Sequence, residues 1–204
     1  MDGNVYVTIG YVILLVYSII LHEIAHAVAA LWSGDDTAKL ANRITLNPIP
    51  HIDIFGTILL PGLLIATGSS VVFGWAKPVP VNPYRFRRPV RGDIFVSVAG
   101  IIVNLILAYL FILLLHIASG WNSELFFKAA VVNVVLAVFN MVPLPPLDGS
   151  HVARFLIARV SHEAAAAYER MGMFGLVIVI LFMSFFGGYL LRAVDLVWFK
   201  VFMM

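Results

Sequence analysis

Five long apolar stretches constrain this chain more than any other feature of its sequence. Several reach the roughly 20 residues that an α-helix needs to cross a bilayer core about 30 Å thick. Composition agrees, because 62% of the 204 residues are apolar and only 12% are charged, against about 25% charged residues in soluble domains. We therefore predict an all-α polytopic membrane protein with about five to six transmembrane or re-entrant helices. The stretches are roughly Val5–Leu21, Phe55–Phe73, Ile94–Ala118, Leu125–Val142 and Met171–Leu191.

The first helix is predicted to run from Asn4 to about Ser33. It ends at Gly34, a residue type suited to the C-terminus of a helix. In the polar segment that follows, the alternation over Asn42–Asn47 predicts a short β-strand or hairpin element.

The second half of the chain is predicted to contain a helix over Asn122–Val142 and another over Asp148–Val160. Prolines at 143, 145 and 146 unwind the backbone between them. We expect one integral-membrane domain over residues 1–204, with a core of about 4–160 and C-terminal helices over 163–204.

The segment His22-Glu23-Ile24-Ala25-His26 lies inside the first predicted helix and carries the pattern H-E-x-x-H. Residues four apart share one helix face, so both imidazoles can reach a single cation. Glu23 stands beside His22 and can take a proton from a water at the metal. The motif also arises by chance on solvated helices. Inside a membrane helix, however, three ionisable side chains cost several kcal/mol unless they are paired or functional.

A third metal ligand must be His, Asp or Glu, because the chain has no cysteine. Asp148 follows the unwound run Pro143–Leu147, and non-helical backbone at membrane depth is tolerated only where it is buried in protein or lines a wet cavity. Asp148 could equally be the N-cap of the next helix, and spacing alone leaves both roles open. His151, three residues later, is the rival ligand.

Asn104 and Asn140 are amides within apolar spans. One interpretation is hydrogen bonding between helices, worth about 0.6 kcal/mol on average. A sharper interpretation places Asn140, eight residues before Asp148, beside the substrate carbonyl as an oxyanion donor.

At these residues the sequence resembles the site-2 protease family of intramembrane zinc metalloproteases. A further segment, FGWAKPVPVN (Phe73–Asn82), is similar to a small bacterial and archaeal branch without extra soluble domains. The likeness covers about residues 15–155, although Ile101 stands where the family often has proline, which bears on packing around Asn104. Three blocks carry the resemblance: HEIAH (His22–His26), SVAGIIVN (Ser97–Asn104) and NMVPLPPLDG (Asn140–Gly149).

The resemblance implies that His22, His26 and Asp148 bind one Zn²⁺ per chain. It also implies that Glu23 is the catalytic base and that Asn140 assists at the scissile carbonyl. The expected enzyme is a zinc-dependent metalloendopeptidase that hydrolyses peptide bonds in or next to transmembrane helices of membrane protein substrates.

Membrane topology can be predicted from the ligands and from charge. Asp148 must reach the depth of the two histidines, so the first helix and the helix before Asp148 should cross in the same direction. The stretch Phe55–Phe73, broken by Pro61-Gly62, is then re-entrant or peripheral. Most basic residues fall on one side, which the positive-inside rule makes cytoplasmic, with the N-terminus external. We expect a multi-pass protein of the plasma membrane.

Two other function classes stay open at this stage. A metal transporter also places His and Asp inside membrane helices, but transporters usually show internal repeats and need no glutamate beside the ligands. An inactive relative could act as a binding module. A net charge of only +2 gives no support to nucleic-acid binding.

Overall fold

The computed structural model describes residues 2–68 and 74–175, together with positions 177, 178, 181, 188 and 192. Short 3₁₀ segments lie at Ile49–His51, Pro83–Arg85 and Met171–Phe174, and a π-helical segment lies at Ile54–Leu59. Most of the predicted helix Met171–Leu191 lies outside the described residues. The α-helices are α1 (Asp2–Ser33), α2 (Thr37–Leu40), α3 (Leu60–Ala66), α4 (Pro89–Ile117), α5 (Trp121–Asn140), α6 (Gly149–Ala158) and α7 (His162–Arg170).

Three helices in the described part of the chain are long and apolar enough to cross a membrane: Val5–Ser33, Pro89–Ile117 and Asn122–Asn140. They correspond to α1, α4 and α5, which pack against one another. Many of their large apolar side chains point outward and are exposed, as expected of helices whose solvent is lipid. The chain is therefore a mostly helical integral membrane protein, and three of the five to six predicted membrane helices are borne out.

The end of α1 agrees with the prediction from Gly34. Gly34 has a φ of +110°, and its N–H donates to Leu31 O (3.1 Å) while the next N–H, of Asp35, donates to Ala30 O (2.9 Å). This pair of bonds is a Schellman motif, which satisfies the last carbonyls of the helix. The helix therefore stops at a position fixed by its own sequence.

Small residues allow the three long helices to approach closely. Ala29 and Ala30 of α1 pack with Val96 of α4, and Ala108 of α4 packs with Val134 of α5. Because lipid is as apolar as these side chains, close packing and hydrogen bonds between helices provide the association energy. The three-helix bundle is the frame that positions the site.

The apolar segment Ile54–Ala66 is too short to cross a bilayer. Its π-helical turn and α3 together span 13 residues, or about 20 Å at 1.5 Å per residue, whereas the hydrocarbon core is about 30 Å thick. Asp53 caps its start by accepting a hydrogen bond from Gly56 N (2.7 Å).

The prediction of a β-element at Asn42–Asn47 is wrong. These residues form turns and bends, and the structure assigns no strand anywhere in residues 2–68 or 74–175. Asn42 has a left-handed φ of +54°, and Arg43 N donates back to Ala38 O (2.9 Å). The alternation of apolar and polar residues over Asn42–Asn47 therefore occurs in a compact turn. No strand in the described part of the chain is available to pair with it.

Candidate metal centre

His22, His26 and Asp148 meet at one point although they are far apart in the chain. The two Nε2 atoms lie 2.9 Å apart, and Asp148 Oδ2 lies 3.3 Å from His22 Nε2 and 3.4 Å from His26 Nε2. Both histidines are buried. Helix α1 supplies two of the groups at the predicted spacing of one turn, and the residue immediately before α6 supplies the third.

This triangle fits a metal ion. Two ligand atoms about 2.1 Å from a tetrahedral zinc lie about 3.4 Å from each other, close to the separations observed. Asp148 Oδ2 is buried and accepts no hydrogen bond. The site therefore offers a buried carboxylate oxygen to a cation.

Hydrogen bonds on the far side of each imidazole orient the ligand nitrogens. His22 Nδ1 is 2.6 Å from Asn104 Oδ1, and His26 Nδ1 is 2.8 Å from Val96 O. Both partners are acceptors, so each ring carries its proton on Nδ1 and leaves the Nε2 lone pair free. Outer hydrogen bonds of this kind fix the tautomer and the ring plane of metal-binding histidines.

The hydrogen bond to His22 is the end of a buried network of polar side chains that joins all three long helices. Asn104 Nδ2 donates to Asn133 Oδ1 (2.9 Å), and Asn133 Nδ2 donates to Ser18 Oγ (2.9 Å). Ser18 Oγ in turn donates to Leu14 O (2.8 Å). Asn104 and Asn133 are fully buried. Because Asn104 Nδ2 is bound to Asn133 Oδ1, the network holds Asn104 in the orientation that accepts from His22.

Gly100 of α4 leaves the space that the two imidazoles occupy. A Cβ atom at this position would lie 2.5 Å from His22 Cε1 and 2.6 Å from His26 Nε2. Any side chain would therefore displace one of the two imidazoles. Gly100 belongs to the block SVAGIIVN (Ser97–Asn104), and the two imidazoles explain why this position has no side chain.

Glu23 projects from the same helix toward a segment without regular secondary structure, residues 74–82, which we call the strap. Glu23 Oε2 accepts a hydrogen bond from Val79 N (2.8 Å). Val79 lies between Pro78 and Pro80, which have no N–H to donate. The Val79 amide is thus the only backbone donor among residues 78–80, and it meets the carboxylate.

Backbone geometry around Asp148 explains how the third group reaches the histidines. Helix α5 ends at Asn140, and the prolines that follow prevent its continuation. At Gly149 the backbone passes close to the end of α5. A Cβ there would lie 2.3 Å from Met141 O, so this approach requires glycine. The side chain of Asp148 makes no hydrogen bond that caps α6. The alternative role as an N-cap, which the sequence left open, is therefore not the role of this side chain.

Asp93 ties α6 to α4. Its carboxylate accepts hydrogen bonds from His151 Nδ1 (3.0 Å) and from Arg154 Nη2 (2.7 Å). Both residues belong to α6, the helix that follows Asp148. His151, the rival ligand, is therefore engaged with Asp93, away from the triangle. The clamp of Asp93, His151 and Arg154 holds the helix that carries Asp148 against the helix that carries Asn104.

Asn140 takes no part in the triangle in this structure. Its Nδ2 donates to Leu136 O, 3.0 Å away, within α5. Sequence reasoning did not single out Asn133, Ser18 or Asp93. Polar residues within apolar helices do predict contacts inside the protein. The sequence does not show which residues these side chains contact.

The chain is similar to known proteins over most of its length. A model for peptidase family M50 matches residues 116–184. The Bacillus subtilis (strain 168) protein named "Putative zinc metalloprotease YwhC" is 40% identical over 191 residues, which cover 88% of this chain and 83% of that protein. No solved structure matches significantly.

Two mycobacterial proteins named Rip2 are also similar and carry the same descriptive name. Rip2 of Mycolicibacterium smegmatis is 28% identical over 173 residues, 82% of this chain and 64% of Rip2. Rip2 of Mycobacterium tuberculosis (strain H37Rv) is 33% identical over 138 residues, 65% of this chain and 51% of Rip2.

Proposed function

Because the chain belongs to peptidase family M50, the site-2 protease family, we propose that it is a zinc-dependent intramembrane endopeptidase. It hydrolyses peptide bonds in or next to transmembrane helices of membrane protein substrates. The observation that carries this proposal is the convergence of three electron-pair donors, His22 Nε2, His26 Nε2 and Asp148 Oδ2, within 4.8 Å of one another. Three such groups facing each other repel unless a cation lies among them.

His22, His26 and Asp148 are proposed to hold one zinc ion per chain, which leaves an open coordination position as in catalytic sites. When bound, zinc supplies a Lewis acid that polarises the substrate carbonyl and lowers the pKa of water to about 7. The outer hydrogen bonds that both imidazoles donate to Asn104 Oδ1 and Val96 O then serve to keep the rings in the binding tautomer.

Glu23 is proposed to be the general base. It lies next to His22 in the chain, and its carboxylate is proposed to reach the water at the metal. It takes a proton from the attacking water and passes it to the leaving amine. The Val79 amide engages Oε2 and so fixes the plane of the carboxylate. Asn140 is proposed to donate to the developing oxyanion after its amide leaves Leu136 O.

A transmembrane substrate must lose helical structure locally before its peptide bonds become accessible. The strap is proposed to receive the extended substrate along its outer edge. Inward-facing amides of the strap are already used, because Trp75 N donates to Gly56 O and Lys77 N to His51 O. Pro78 and Pro80 have no N–H and Val79 N is bound to Glu23, so along residues 78–80 the bound peptide would supply the N–H groups.

The decisive experiment compares the wild type with Glu23→Gln in detergent, measuring bound metal and cleavage of a single-span model substrate. We expect both to hold about one zinc per chain and only the wild type to cleave. Zinc in both with cleavage by neither points to a transporter or an inactive relative. Absence of metal from both contradicts the proposal itself.

A further inference from the structure

An open groove of about 410 Å³ lies where the C-terminal end of α1 meets the N-terminal end of α4. Its walls carry three arginines and two aromatic rings. Since both helices are membrane spans, the groove lies at the bilayer surface. We call it the arginine groove, and the residues that define it are Trp32, Arg87, Arg88, Arg91 and Phe95.

The backbone of the groove is held by buried contacts. Phe86 is only 5% exposed and packs in a cluster with Ala29 and Val96. This packing holds the backbone of the next residue, Arg87, in place. Arg87 N donates to Ser33 O (2.8 Å), which joins the wall to the end of α1. Gly92 makes room for the Phe86 ring, because a Cβ there would lie 2.8 Å from it. The groove is therefore preformed.

The positive charge of the groove is not neutralised within the described part of the chain. Nearby acidic side chains are engaged elsewhere, since Asp36 pairs with Arg85 and Asp93 pairs with Arg154 and His151. The three arginines of the groove are exposed and form no ion pair with any described residue. A cluster of this kind attracts an anion that can accept several guanidinium bonds.

The aromatic side of the groove indicates that the anion carries hydrocarbon. Trp32 and Phe95 stack with their ring centroids 6.3 Å apart at 20°, and Trp32 is 70% exposed. Tryptophan is enriched at the membrane interface, where one side of the ring meets lipid and the other meets water. A free phosphate or an acidic peptide would use the arginines and leave these rings unused.

We infer that the arginine groove is a binding site for one anionic phospholipid, with the phosphate on the arginines and the glycerol and upper acyl chain against Trp32 and Phe95. Basic pockets at the ends of membrane helices bind acidic headgroups through the same combination of charge and position. The inference requires that the chain lies in a bilayer and does not depend on its being a protease.

Native mass spectrometry of the full chain, titrated with phosphatidylglycerol or with phosphatidylcholine of the same acyl chains, tests this site. We expect phosphatidylglycerol to bind at least about tenfold more tightly. The triple variant Arg87→Gln, Arg88→Gln, Arg91→Gln should lose that preference. The matched control removes three exposed charges elsewhere, Lys39→Gln, Arg159→Gln and Arg170→Gln, and should retain it.

Equal loss in both triple variants would overturn the inference in favour of general surface charge, and equal binding of the two lipids would overturn it outright. Glycerol phosphate without acyl chains should fail to displace the lipid at equal concentration, and displacement would identify a soluble-phosphate site instead. Trp32→Ala should weaken lipid binding several-fold. Far-ultraviolet circular dichroism, measured on every variant, reports whether the chain keeps its helices.

Discussion

At the scale of single residues, the proposed centre depends on which nitrogen of each histidine carries the proton. Asn104 decides this for His22, because its Oδ1 can only accept and lies 2.6 Å from Nδ1. Asn104→Ala should therefore lower zinc affinity about 10- to 100-fold, the usual effect of losing an outer-sphere partner. Competition with a chelator of known affinity measures this change.

Asn140→Ala is the matched control for that substitution. It removes an amide of the same size from a neighbouring helix, but its Nδ2 bonds to Leu136 O and not to a histidine. Zinc affinity should stay at the wild-type value while the cleavage rate falls about 10²- to 10³-fold, as for loss of an oxyanion donor. Equal zinc affinity in both variants would contradict the role given to Asn104.

The choice between Asp148 and His151 as third ligand gives a second prediction. Asp148→Asn replaces the ionised oxygen with a neutral group and should remove bound zinc from the purified protein. His151→Asn should leave zinc bound, because His151 Nδ1 donates to Asp93, 3.0 Å away. Elemental analysis of both variants measures the outcome, and loss of zinc from His151→Asn alone would reverse the assignment.

These residues show how far the sequence determines the site. His22 and His26 lie four apart on one helix, so local geometry alone brings their imidazoles together. Asp148 is 122 residues further along the chain than His26, and spacing alone could not separate it from His151. Asn133 and Ser18 act only through contacts between different helices, which no local pattern encodes.

At the scale of elements, one backbone amide of the strap donates a hydrogen bond to α1. Val79→Pro removes the N–H that Glu23 accepts from, and a hydrogen bond to a charged group is worth about 1.5–3 kcal/mol. The cleavage rate should fall about 10- to 100-fold while zinc content stays unchanged. Steady-state cleavage and metal analysis of the same preparation check both parts.

Val79→Ala is the control for the strap, because it keeps the N–H and removes only part of a buried side chain that packs with Ala27 and Ala38. It should cleave within about threefold of the wild type. If the alanine variant loses as much activity as the proline variant, the effect of Val79 is packing and not its amide.

Helices were easier to predict than the segments that join them. Long apolar runs predict α1, α4 and α5 because the cost of unpaired backbone in lipid forces helix formation. The turn at Asn42–Asn47 resembles a strand in sequence, but a strand needs a partner, and pairing is a non-local property. The absence of helix from the strap, in contrast, follows directly from its prolines.

At the scale of the whole molecule, the common depth of the three proposed ligands constrains how the chain crosses the bilayer. His26 lies near the end of α1, and Asp148 lies shortly after the end of α5. Both helices must then run in the same direction, with α4 running in the opposite one. This order holds only if α4 begins on the side of the bilayer where α1 ends, which agrees with Ile54–Ala66 being too short to span.

Because the chain has no cysteine, single introduced cysteines can report this topology. Tyr84 is 98% exposed and precedes α4, whereas Ser119 is exposed in the turn between α4 and α5. A membrane-impermeant maleimide should label Ser119→Cys in intact cells and Tyr84→Cys only after permeabilisation, because the positive-inside rule predicts that the basic residues before α4 are cytoplasmic. The reverse pattern would keep the parity of the spans but invert the protein. Labelling of both in intact cells would mean that α4 does not cross, and the same direction for α1 and α5 would then lose its basis.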